Sequence, residues 1–158
     1  MTKIITKIIL IIFLFTTAGC GFKVLNEFEK NDFTINDIQT SGDKRVNFKI
    51  KNNLLTYSKK DSKNILLINL NSKKIKSIKE KNIKNEITKY QVSLTTNIEF
   101  NVLNINNNHK INISNKGEYL VADSYSATLN NEKKLIDDLI ENISEEIIKK
   151  ISLKLDDI

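Results

Sequence analysis

Lys73, Lys74, Lys76, Lys79 and Lys81 fall within nine residues and form a concentrated candidate site for an anion. An ammonium group is a compact point charge with three donors, suited to phosphate oxygens. In an extended chain Lys74 and Lys76 share a face, as do Lys73, Lys79 and Lys81 if no bulge intervenes. The same lysines suit the edge of a sheet, where they discourage pairing with other chains. Other chemistry is sparse. His109, the only histidine, stands in an Asn-Asn-Asn-His-Lys run with no cysteine or carboxylate at ligand spacing, so it reads as a solvated turn residue and not as a metal ligand. The four glycines form no phosphate-binding loop. Asp137-Asp138 and Glu145-Glu146 read as the wet face of a helix. No catalytic residue, metal or cofactor is expected, and the chain reads as a non-enzyme.

The only cysteine, Cys20, has a more specific chemistry. Lys3 and Lys7 make a basic start, Ile8 to Phe15 is an uninterrupted apolar run, and Thr16-Thr17-Ala18-Gly19 supplies small residues before Cys20. This is the pattern of an export signal, and the apolar run is too short to span a bilayer comfortably. Thr17-Ala18-Gly19-Cys20 resembles the lipobox of bacterial lipoproteins, with Thr17 where Leu is usual. The resemblance implies cleavage between Gly19 and Cys20 and acylation of Cys20. Each buried methylene contributes ~0.8 kcal/mol, so two or three acyl chains make a stable anchor. Gly21 stands where an Asp would indicate inner-membrane retention, which points to the outer membrane, periplasmic side. Residues 1–19 are thus read as a signal peptide, 20–31 as a lipidated tether and 32–158 as a single domain. Loss of Lys3 and Lys7 lowers the net charge from +6 to +4. Export argues against a nucleic-acid partner. The modest basic excess suits anionic lipid, although a Lys, Asn and Ile bias of the genome would produce it too.

The element that must position any site is Tyr90 to Val102. Tyr90, Val92, Leu94, Thr96, Ile98, Phe100 and Val102 alternate with Gln91, Ser93, Thr95, Asn97, Glu99 and Asn101. A period of two predicts one long strand with an apolar and a polar side. The apolar side needs a lid. The polar side either faces solvent or meets a polar partner, such as the interior of another protein.

Around it, Asp32 to Thr40 is a predicted first strand, and Ser41-Gly42-Asp43 offers capping oxygens to a helix from Lys44 to about Lys59, with Val46, Ile50, Leu54 and Tyr57 on one stripe. Ile65 to Leu70 is of strand length. At Asn71-Ser72-Lys73-Lys74 the phase slips, which predicts a bulge or hairpin turn. Asn106-Asn107-Asn108 reads as the turn of a hairpin, and Ile111, Ile113, Tyr119 and Val121 as a returning antiparallel strand interrupted near Gly117. A final helix, capped by Thr128 or Asn130, carries Ile136, Ile140, Ile143, Ile147 and Ile151, with acids early and lysines late. The order strand-helix-strand-strand-strand-helix predicts an α+β fold: a mixed sheet of about four strands, the first two parallel across a helical crossover, with two helices on one face.

Cys20-Gly21-Phe22 after an export signal, this order of elements, and Ser124-Tyr125-Ser126-Ala127-Thr128-Leu129 leading into the last helix together resemble the LptE family of lipopolysaccharide-assembly lipoproteins. Many of those relatives continue from Cys-Gly-Phe into Pro-Leu-Tyr, where this chain has Lys23-Val24-Leu25. The resemblance implies a plug inside the LptD outer-membrane β-barrel that supports its assembly and contacts lipopolysaccharide on its way to the outer leaflet. Barrel interiors are polar, so Gln91, Ser93, Thr95, Asn97, Glu99 and Asn101 are the candidate barrel-facing residues, and Lys73 to Lys81 the candidates for lipopolysaccharide. Two alternatives are a lipoprotein pilot for another outer-membrane machine such as a secretin, and a tethered ligand-binding module, which would show a concave apolar pocket.

Overall fold

The computed structural model describes residues 32–156 apart from residue 104; the expected signal, Cys20 and the tether lie outside the described residues. The order of elements is β1 (Phe33–Gly42), α1 (Lys44–Thr56), β2 (Asn64–Lys81), β3 (Ile87–Val102), β4 (Ile105–Leu120) and α2 (Tyr125–Asp156). The strands form one sheet in the order β1-β2-β3-β4, with β1 parallel to β2 and the other pairs antiparallel. Both helices cover one face, as expected of the α+β arrangement.

The alternation in β3 produces this layering directly. Val92, Leu94, Ile98, Phe100 and Val102 are buried with Leu66, Ile68 and Leu70 of β2 and Ile111 and Ile113 of β4. Burying each large side chain contributes ~1.5–3 kcal/mol. Thr96 interrupts the apolar row but pairs with buried Ser72, hydroxyl to hydroxyl at 3.1 Å, so neither polar group is stranded. Asp43 caps α1, its carboxylate accepting from the N–H groups of Arg45 and Val46 at 3.0 Å. Val46, Ile50 and Leu54 face the core, while Phe48 and Leu55 are exposed. The helix ends at Thr56, a turn short of the expected Lys59, because the chain must return to β1: the Lys59 N–H donates to the Phe33 carbonyl at 3.0 Å.

Four local expectations are corrected. β2 does not slip at Asn71 to Lys74. It runs on to Lys81 in register with β3, and its irregularity falls at Ile78, Glu80 and Lys81. Ladder bonds to β3 hold the phase, so Ile75, opposite Ser93, simply lands on the open face, half exposed. The hairpin turn is not Asn106-Asn107-Asn108. Val102 already pairs with Ile105, and Asn101 with Asn108, so the asparagine run lies within β4 and its extra residues are absorbed as a bulge. His109 consequently sits opposite Phe100, stacked on its ring at 4.9 Å, with Nε2 buried and no partner among the described residues. It is not a solvated turn residue. Gly117 does not interrupt β4 either; it pairs with Val92, and a Cβ there would lie 2.4 Å from Leu135 Cδ1, so its bare backbone lets α2 approach the sheet.

The cap of α2 is Ser124, not Thr128 or Asn130: its Oγ accepts from the Ala127 N–H at 3.1 Å. The earlier start leaves no acid in the first turn. Leu139, Ile140, Ile143, Ile147, Ile148 and Ile151 are buried. Against α1, α2 makes a Lys49–Asp137 ion pair and a hydrogen bond from Asn53 Nδ2 to Ser144 Oγ at 3.2 Å.

Candidate functional site

The face of the sheet opposite the helices is a polar surface. Gln91, Ser93, Thr95, Asn97, Glu99 and Asn101 stand there opposite Glu118, Lys116, Ser114, Asn112, Lys110 and Asn108 of β4. Cross-strand bonds order this row: Thr95 and Ser114 hydroxyls at 3.1 Å, a hydrogen bond from Asn112 Nδ2 to Asn97 Oδ1, and Lys110 to Glu99 at 2.7 Å. On the other side of β3, Gln39, Ser41, Asn69 and Asn71 join Asn97 and Glu99 in lining a shallow groove of about 460 Å³. Side-chain amides and hydroxyls both donate and accept, so the surface can hydrogen-bond a polar wall without requiring one fixed chemistry. Leu67 and Ile75 on β2 and Leu120 at the end of β4 are apolar interruptions.

The five lysines are not one site. β1 ends at Gly42 opposite Ser72, so among the described residues β2 from Lys73 onward has no strand on that side, and the lysines line that edge. Lys73 lies on the open face opposite Thr95. Lys79 also reaches that face, where it meets Glu118 at 3.2 Å. Lys81 donates to Asn85 Oδ1 at 2.9 Å within the β2–β3 turn. Lys74 and Lys76 share the helix side, as their spacing predicts.

Lys76 is structural there. Its Nζ lies 2.6 Å from Glu132 Oε2, which also accepts from the Tyr119 hydroxyl at 2.7 Å, and it sits 4.3 Å from the centroid of the Tyr90 ring. Tyr90 and Tyr119 stack at 5.5 Å. Partial burial by itself would raise the Glu132 pKa, but hydrogen bonds from Lys76 and Tyr119 and the charges of Lys76 and Lys74 outweigh it and hold the carboxyl below its ordinary value. Partial burial likewise opposes the Lys76 ammonium, yet its bonds with Glu132 and Tyr119 and the Glu132 charge raise its pKa. Burial, with Glu132 beside it, raises that of Tyr119. A carboxyl depressed in the folded state stabilises fully above its unfolded pKa, about 4.3, and loses that contribution as pH falls through the folded value. The raised Lys76 stabilises fully below its unfolded pKa and loses its contribution as pH rises through the folded value. Glu132→Gln is therefore expected to flatten the acid limb of stability against pH, read by urea melts from about pH 6 to about pH 3; an unchanged limb would show that the cluster does not hold α2 to the sheet.

Lys74 belongs to a second grouping that the sequence does not reveal. A groove of about 420 Å³ between α1, β2 and α2 is lined by Arg45, Lys49, Lys74 and Lys133, with Glu132 and Asp137, over Val46, Leu129, Ile136 and Ile140. Glu132 is engaged by Lys76, and Asp137 by Lys49. Arg45, Lys74 and Lys133 come from three elements, so no local spacing links them. Among the described residues no group of His, Cys, Asp and Glu is placed to hold a metal ion, and no helix is long and apolar enough to cross a membrane.

The sequence matches no family model and no curated protein. The fold does have solved counterparts. Rare lipoprotein B from Shewanella oneidensis superposes with a TM-score of 0.59 at 9% identity, over 76% of this chain and 96% of that one. Uncharacterized lipoprotein B from Nitrosomonas europaea gives 0.54 at 12% identity, over 86% of this chain and 93% of its own. At such identities the likeness is one of architecture: this chain shares its fold with these lipoproteins.

Proposed function

We propose that the chain is an outer-membrane lipoprotein of the LptE type. Anchored through acylated Cys20 on the periplasmic side, it plugs and supports the assembly of an LptD-like β-barrel and assists delivery of lipopolysaccharide to the outer leaflet. The observation that carries this reading is the open face, where a row of amides, hydroxyls and charges spans β3 and β4 while both described helices lie on the other side. A barrel lumen is polar, and the amides and hydroxyls of such a face can hydrogen-bond it. The shared fold with lipoproteins and the Thr17-Ala18-Gly19-Cys20 sequence support the anchor. Lys74, with Arg45 and Lys133 around an apolar strip, has the chemistry for a phosphorylated glycolipid.

The deciding experiment is an affinity pull-down of the lipoprotein from outer membranes in mild detergent. Co-isolation of a large LptD-like barrel in near-equal amount is expected. Recovery of a secretin instead would keep the anchor and discard the lipopolysaccharide role. Lys74→Gln with Lys133→Gln is expected to weaken binding to lipopolysaccharide severalfold while leaving the thermal transition nearly in place, since Lys74 acts on Glu132 only through its charge and forms no hydrogen bond in the Lys76 cluster; unchanged binding would return Lys74 to edge protection.

A further inference from the structure

β4 is an outer strand, and among the described residues it pairs only with β3. The Leu120 carbonyl accepts from Asn131 Nδ2 at 3.1 Å, while the Val121 N–H donates to the Thr88 carbonyl at 2.9 Å. These two bonds set the alternation: from Asn108 to Leu120, the even-numbered residues turn their backbone groups away from β3. The same residues carry the exposed polar side chains Lys110, Asn112, Ser114, Lys116 and Glu118. No proline interrupts the strand, and no described segment pairs with it on that side. A long strand edge of this kind is a template for another strand.

We propose that this edge is a homodimer interface, in which β4 of one copy pairs antiparallel with β4 of a second about a two-fold axis at Ser114. Charge selects the register. An axis at Ser114 places Lys110 opposite Glu118 of the second copy and, by symmetry, Glu118 opposite the second Lys110. An axis at Ile113 would set Lys110 against Lys116, and one at Lys116 would set that lysine against itself; like charges directly opposite destabilise a strand pair. Lys110 is 71% exposed beyond its contact with Glu99, and Glu118 already reaches Lys79, so pairing joins the two charge rows. Backbone alternation agrees, because outward-turned residues meet outward-turned residues. On the helix side the axis brings the groove lined by Lys150, Leu153 and Lys154 toward the one lined by Lys134, Leu135 and Asp138 of the second copy. This covers Leu153, which is 55% exposed. The proposal goes beyond the barrel reading and does not depend on it.

The test uses the full-length lipoprotein in mild detergent. Ser114→Cys treated with a mild oxidant is expected to give a disulfide-linked dimer, because directly opposed residues lie about 5.5 Å apart at Cα, within bridging range. Lys110→Cys, whose copies would stand about 27 Å apart along the edge, and the unsubstituted chain are expected to remain unlinked. Adding Lys110→Glu to Ser114→Cys should cut the yield severalfold, and adding Glu118→Lys as well should restore it. An unlinked Ser114→Cys, equal linking by Lys110→Cys, or indifference to charge reversal overturns the proposal. Should Ser114→Cys fail to fold, sedimentation decides. A dimeric unsubstituted chain that Lys110→Glu converts to monomer supports the interface, and the same state for both overturns it.

Discussion

Ile98→Asp is expected to abolish the cooperative unfolding transition. Ile98 is fully buried in β3, between Leu70 of β2 and Ile111 of β4 and under the helical layer. Substitution removes an aliphatic side chain from a packed site, a loss of ~2–5 kcal/mol for comparable truncations. It also leaves a carboxyl with no partner, and even when that group protonates, an unsatisfied polar group costs roughly 1–3 kcal/mol more. Together these approach the ~5–15 kcal/mol that holds a typical domain folded. The measurement is a urea titration followed by circular dichroism. The adjacent Asn97→Asp is the control, because it places the same carboxyl on the open face and is expected to change stability by no more than ~0.5 kcal/mol. A native-like transition for Ile98→Asp would mean that the apolar side of β3 is not the core.

The second large effect is expected at Gly42, where β1 ends. Its φ is +87°, and a Cβ built there would lie 2.2 Å from the Ser72 carbonyl oxygen. That oxygen belongs to the backbone of β2 and accepts from the Asp43 N–H at 2.7 Å, so it cannot swing aside without breaking the link that starts α1. Gly42→Ala combines backbone strain of ~1–3 kcal/mol with displacement of this junction. A loss of ~3 kcal/mol is expected, seen as a lower urea midpoint at unchanged slope. Gly117→Ala is the informative comparison. Its new methyl would meet only the end of Leu135, which can turn, so the loss there should be under ~1 kcal/mol. Equal losses at the two glycines would show that the Ser72 carbonyl yields.

Some features could be read locally and others could not. The seven alternating positions from Tyr90 to Val102 determined a strand, its buried side and its bare side, because side-chain direction in an extended chain depends on nothing beyond parity. The stripes of Val46, Ile50 and Leu54 and of Ile140, Ile143, Ile147 and Ile151 determined two helices and the faces they bury, since 3.6-residue periodicity is equally local. The α+β class followed from their order. What the tertiary structure decided was where strands end and which charges meet. The apparent slip after Leu70 is no turn, because β3 continues to pair with β2, and the asparagine run lies inside β4 because Val102 has already found Ile105. His109 is placed by that register and not by its polar neighbours. The five lysines look like one cluster in sequence, but among the described residues the end of β1 at Gly42 bares their edge, strand parity divides them between two faces, and Glu132, 56 residues away, engages Lys76. Periodicity is a property of neighbouring residues, whereas register and ion pairing are contests between distant ones, and those contests are settled only when the sheet and both helices have come together.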